Sequence, residues 1–135
     1  MTPAKTVCVV DDDESVRSAI CNLFRSLDFI TVAFECASDF LVWISINDAV
    51  CIISDVQMPG MSGIDMYRQM RSNGKDVPTI FLTAYPNIEL KYHALTAGAL
   101  AYLAKPVDIQ ELTVLLEHVV QCRIEKSDIS NGRSL

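Results

Sequence analysis

No stretch of this chain stays apolar for the roughly 20 residues that a bilayer-spanning helix needs, so a membrane span is not expected. Basic residues are also scarce. The 135 residues hold 11 Lys and Arg against 17 Asp and Glu, a net charge of -6. Phosphate contacts depend on clustered positive charge, so direct nucleic-acid binding by this segment is not expected either. The five cysteines, Cys8, Cys21, Cys36, Cys51 and Cys122, include no C-x-x-C pair and no Cys/His grouping of zinc-finger spacing. That pattern predicts buried thiols in a reducing compartment. None of the five glycines belongs to a G-x-x-x-x-G-K-[ST] loop, which leaves nucleotide hydrolysis without support. The start, MTPAK, leads straight into a strand-like run and has no signal-peptide pattern. These absences together predict a cytoplasmic protein.

What is present is core material. Half of the residues are hydrophobic and 21% are charged, which is the composition of a globular domain and not of a disordered chain. The length suits one domain and leaves no room for a second. Short apolar runs alternate with helical patterns throughout, the mark of an α/β domain with a parallel sheet. The runs are Thr6 to Val10, Phe29 to Phe34, Ala49 to Ile53, Pro78 to Leu82 and Ala99 to Leu103. Between them, Val16, Ile20, Leu23, Phe24 and Leu27 recur every three or four residues and predict a helix. Ser38 is the expected cap of a second helix carrying Phe40, Leu41, Trp43 and Ile44. A third runs from Ile64 to Arg71 and stops near Asn73-Gly74, a fourth spans Asn87 to Ala97, and a fifth starts at the cap Asp108 and ends at about Arg123. The domain is thus expected over residues 5–123, with 124–135 a polar tail or the start of an interdomain linker.

Five βα units are too few for an eight-stranded barrel of about 250 residues, but they suit an open doubly wound sheet. In a five-stranded parallel sheet of order 2-1-3-4-5 (the flavodoxin-like sandwich), ligands bind outside the carboxyl ends of strands one and three. Asp11 and Asp12 follow the first of these strands, and Asp55 follows the third. Three carboxylates converging there repel one another unless they share a cation. A compact set of oxygen ligands suits Mg²⁺. Thr83 and Lys105 follow strands four and five and reach the same rim. An aspartate beside a metal can attack a phosphoryl group while an ammonium offsets the growing negative charge, so aspartyl-phosphate formation is the implied chemistry. Asp13 and Glu14 read as ordinary helix-start acids.

The segments VCVVDDDESVR, IISDVQMPGMSG, FLTAY and AYLAKP, in this order and each at a strand end, resemble the response regulator receiver domain of two-component systems in the CheY-like superfamily. The DVQMPGMSG stretch is most similar to the FixJ-like branch. The resemblance implies that Asp55 is the phosphoacceptor, supplied by a sensor histidine kinase. It implies that Asp11, Asp12, Asp55 and the backbone carbonyl of Gln57 hold Mg²⁺, or Mn²⁺ in its place. Lys105 would pair with the phosphoryl group, Thr83 would move to hydrogen-bond it, and Ala84 would offer a backbone N–H. Tyr102 takes the place of the switch aromatic, turning inward as Thr83 moves, and the Lys105–Pro106 bond is expected to be cis. Gln57 and Tyr85 occupy positions that in this family tune water access to the phosphoaspartate. The implied output is a changed surface around the fourth helix, fifth strand and fifth helix. That surface would act on an output domain or downstream protein, in transcription, or form a phosphorylation-dependent homodimer. Catalysis would be confined to the domain's own phosphorylation and dephosphorylation. Two other readings use the same residues: a small Mg²⁺-dependent phosphotransferase of the haloacid-dehalogenase style, for which the sequence offers no second general acid and no cap domain, and a phosphorylation-independent scaffold. His93 and His118 fall on helices away from the strand ends and read as surface residues.

Overall fold

The computed structural model describes residues 5–130. Strands and helices alternate from end to end: β1 (Thr6–Val10), α1 (Glu14–Ser26), β2 (Ile30–Phe34), α2 (Ala37–Ile44), β3 (Cys51–Asp55), α3 (Gly63–Ser72), β4 (Thr79–Thr83), α4 (Ile88–Thr96), β5 (Ala101–Ala104) and α5 (Ile109–Ser130). The sheet has five parallel strands in the order β2-β1-β3-β4-β5, the flavodoxin-like topology expected from the sequence.

The three inner strands have almost no polar alternation because both of their faces are covered. Their side chains still divide by the two-residue period of a strand. Cys8, Val10, Ile52 and Phe81 pack with α2, α3 and α4, around Phe40, Met66, Tyr67 and Met70. Val7, Val9, Cys51, Ile53, Ile80 and Leu82 pack with α1 and α5, around Phe24, Leu112 and Leu116. Trp43 is a packing residue, its ring 5.8 Å from that of Phe34.

Pairing across the sheet carries two strands further than their apolar runs suggest. Ser54 stands opposite Val10, and Asp55 opposite Leu82, so β3 begins at Cys51 instead of Ala49 and includes Asp55 as its last residue. Likewise β4 includes Thr83, opposite Ala104. The fifth strand starts at Ala101 and not at Ala99. Gly98, at a φ of 115°, ends the preceding turn there, and the Ala99 N–H returns to the Ala94 carbonyl.

Three further expectations are corrected. Cys36 and not Ser38 is the N-cap of α2, and its side chain makes no capping hydrogen bond. The last helix runs to Ser130, past Arg123, so residues 124–130 of the expected tail continue α5; no Gly or Pro interrupts the sequence before Gly132. Residues 131–135 lie outside the described residues. Of the five thiols only Cys8, Cys21 and Cys51 are buried, whereas Cys36 is half-buried and Cys122 exposed. Cys122 sits on the outer face of α5, where its Sγ meets His118 Nε2 at 3.6 Å. Burial pushes the Cys8 and Cys51 thiols up to about 12, so neither is a nucleophile at neutral pH. Among the described residues, no helix is long and apolar enough to cross a membrane.

Candidate functional site

Register decides what meets at the rim of the sheet. Val10 is level with Ser54, so the next residue of each chain, Asp11 and Asp55, emerges side by side. Thr83 is level with Ala104, and the Lys105 N–H donates to the Thr83 carbonyl at 2.8 Å. Lys105 is thereby carried back over the two acids, its peptide bond to Pro106 cis.

Asp11 is almost wholly buried and fully partnered. Its Oδ1 accepts the Asp13 N–H at 2.9 Å and its Oδ2 accepts from Lys105 Nζ at 2.8 Å. Its backbone carbonyl accepts from Arg17 at 2.8 Å, tying the first turn of α1 to the site. Asp12 is exposed. Asp13 caps α1, accepting from the N–H groups of Ser15 and Val16, so the helix-start reading of this acid matches its geometry.

Asp55 is buried at the end of β3, with Lys105 Nζ 3.6 Å from its Oδ1. Burial, and then the charge of Asp11, push its carboxyl up to about 6, against the opposing pull of Lys105. Burial acts against the Lys105 ammonium, but its hydrogen bond to Asp11 and the charges of Asp11 and Asp55 outweigh this and raise its pKa. The cluster therefore holds more negative charge than its one lysine offsets. Carboxylate oxygens of Asp11, Asp12 and Asp55 lie within 4.8 Å of one another. A set of carboxylates this compact could hold one Mg²⁺ ion, with water completing the shell.

Thr83 is completely buried. It donates to Oε1 of Gln57 at 2.9 Å and accepts the Tyr85 N–H at 3.1 Å. Ala84 is exposed beside it and leaves the approach to Asp55 open. Tyr102 is buried, and its hydroxyl accepts the Asn87 N–H at 3.3 Å, at the start of α4. Its ring is thus already inward while Thr83 is still bonded to Gln57. His93 and His118 are both exposed on helices, away from the rim.

Sequence reasoning brought Asp11, Asp12, Asp55, Thr83 and Lys105 to one place, and the structure brings them together. It overlooked Gly63, Arg17 and the hydrogen bond between Gln57 and Thr83. A Cβ on Gly63 would collide with the backbone carbonyl of Asp55, so only glycine lets α3 start this close beneath the acid. Its position in the MPGMSG loop was a usable signal.

An open 2-1-3-4-5 sheet with an acidic pocket at its switch point and a lysine leaning over it defines a class of flavodoxin-like α/β domain. The family model described as the response regulator receiver domain matches residues 7–117, and the chain belongs to that family, the receivers of two-component systems. Among curated relatives, the response regulator protein TodT of Pseudomonas putida is 36% identical over 109 residues, covering 81% of this chain and 48% of its own length. The transcriptional regulatory protein FixJ of Bradyrhizobium diazoefficiens is 30% identical over 121 residues, covering 90% of this chain and 59% of its own. The chain thus spans about half the length of these relatives. The solved response regulator StyR superposes with a TM-score of 0.84 at 37% identity, over 96% of this chain and 65% of that one. A Francisella receiver domain superposes with a TM-score of 0.82 at 28% identity, over 88% of this chain and 98% of its own.

Proposed function

We propose that the domain accepts a phosphoryl group on Asp55 from the phosphohistidine of a sensor histidine kinase and converts it into a change of surface. The observation that carries this reading is the shared pocket of Asp11, Asp12 and Asp55 under Lys105. An Asp55 oxygen attacks phosphorus, the P–N bond breaks, and the departing imidazole keeps the electron pair and takes a proton. Asp11, Asp12, Asp55 and the Gln57 carbonyl would hold Mg²⁺, or Mn²⁺, which supplies positive charge against the phosphoryl oxygens. Lys105 leans between Asp11 and Asp55, ready to pair with the group, while Ala84 and Thr83 hydrogen-bond its oxygens. The chemistry acts on the domain's own aspartate and turns over no external substrate.

A phosphoryl group adds up to about two negative charges and three acceptor oxygens beside Thr83, enough to bias a bistable segment. Thr83 leads directly into the loop before α4, and Tyr102 touches the first residues of that loop's helix cap. The output surface is therefore α4, β5 and the start of α5, where Ile88, Tyr92 and Ile109 are exposed. That face suits a homodimer or an output domain, and the longer relatives named as transcriptional regulators support an output in transcription. Intact mass after incubation with acetyl phosphate and Mg²⁺ tests the reading. One added phosphoryl group is expected, absent in Asp55→Asn, and no gain in the wild type would overturn it.

A further inference from the structure

The hydroxyl of Thr83 is already spent. It has a single proton, and that proton is donated to Oε1 of Gln57 at 2.9 Å. One lone pair takes the Tyr85 N–H at 3.1 Å, and no part of the residue reaches solvent. A phosphoryl oxygen on Asp55 can only accept, so Thr83 must offer it this same proton. The bond to Gln57 has to break first.

We propose that Gln57 is a positioning residue that latches Thr83 in its unphosphorylated place, so that the strength of this one bond sets how readily the domain switches. The proposal rests on the reading of Asp55 and Thr83 given above. Gln57 is well placed for the role. It stands two residues beyond Asp55, at the mouth of the pocket, and its amide reaches across to the end of the neighbouring strand β4. Its side chain is exposed, so once released the amide is hydrated and the latch costs little to open. A hydrogen bond to an anionic phosphoryl oxygen is stronger than the neutral one it replaces, so the exchange still runs towards the phosphorylated state. The latch shifts the midpoint of switching without preventing it.

Beryllofluoride with Mg²⁺, which stands in for the phosphoryl group, supplies the test. Gln57→Met keeps the length of the side chain and removes the acceptor. It is expected to tighten beryllofluoride binding, read by titration calorimetry, by roughly 3- to 10-fold, the worth of one neutral hydrogen bond. In a Thr83→Ala background the same substitution is expected to change nothing, because there is no hydroxyl left to release. Before any ligand is added, the Tyr85 amide proton, which Thr83 accepts, should shift in the nitrogen–proton spectrum of Gln57→Met. Equal tightening with and without Thr83, or none with it, would overturn the latch. A wild-type protein that binds no beryllofluoride would instead overturn the underlying reading of Asp55.

Discussion

Helices α3 and α4 lie on the same face of the sheet and are held there by different means. α3 buries Gly63, Ile64, Met66, Tyr67 and Met70, and Tyr67 stands edge-on to Phe81 at 5.8 Å. α4 buries Ala94 alone and leaves Ile88, Tyr92 and Leu95 in solvent. Each is capped in the usual way, α3 by Ser62 and α4 by Asn87, so the caps do not separate them. Packing does. The helix that starts against Asp55 is fixed by close-packed side chains, whereas the one that follows Thr83 fully buries little beyond Ala94. A rigid support under the proposed phosphoacceptor and a weakly anchored element beyond the proposed switch residue is the division that a signalling domain needs, since only loosely packed segments move at small cost.

The comparison can be broken most directly in the cores. Met66→Ala in α3 is expected to cost about 2–5 kcal/mol of unfolding free energy, and Leu95→Ala in α4 under about 1 kcal/mol. Urea denaturation of both variants checks this, and similar losses would remove the distinction.

A smaller effect concerns the support itself, which holds Asp55 in a strained electrostatic setting. Its folded pKa of about 6 exceeds the ordinary 3.8, so the folded state binds the proton more tightly. Stability from this group is present below about pH 4 and is lost as pH rises to 6. Without divalent metal, Asp55→Asn should therefore stabilise the domain by about 1–3 kcal/mol above pH 7, an advantage that shrinks towards zero as pH falls from 6 to 4. Thermal melts in chelator across that range would show it, and a destabilised Asp55→Asn at pH 8 would contradict the charge balance described above.

The smallest effect on stability belongs to the free surface of α4. Ile88→Ser, at a position 84% exposed, should change unfolding free energy by less than about 0.5 kcal/mol. The same substitution should weaken any dimer that beryllofluoride induces. Size-exclusion chromatography with and without the fluoride separates the two results, and an unchanged dimer would move the partner surface elsewhere.

Much of this was legible before the fold was known. β-branched apolar runs in alternation with helical spacing gave the sheet class, and polar residues just beyond each run marked the rim. Boundaries were less legible where partners decide them. Asp55 and Thr83 belong to their strands because Leu82 and Ala104 pair with them, and no local pattern announces a partner. Cys122 looked like the other thiols because burial depends on which face of α5 meets the sheet.

By itself the sequence determined the order of elements, the two-sided apolar strands and the identity of the acids, hydroxyl and lysine at their ends, since these follow from local periodicity and side-chain chemistry. Only the tertiary structure decided that Lys105 bonds Asp11 more closely than Asp55, that Gly63 must lack a side chain, and that the amide of Gln57 occupies the Thr83 hydroxyl. Those are contacts between residues brought together by parallel pairing and crossover helices, and their distances are set by register and packing across the sheet, which no single segment encodes.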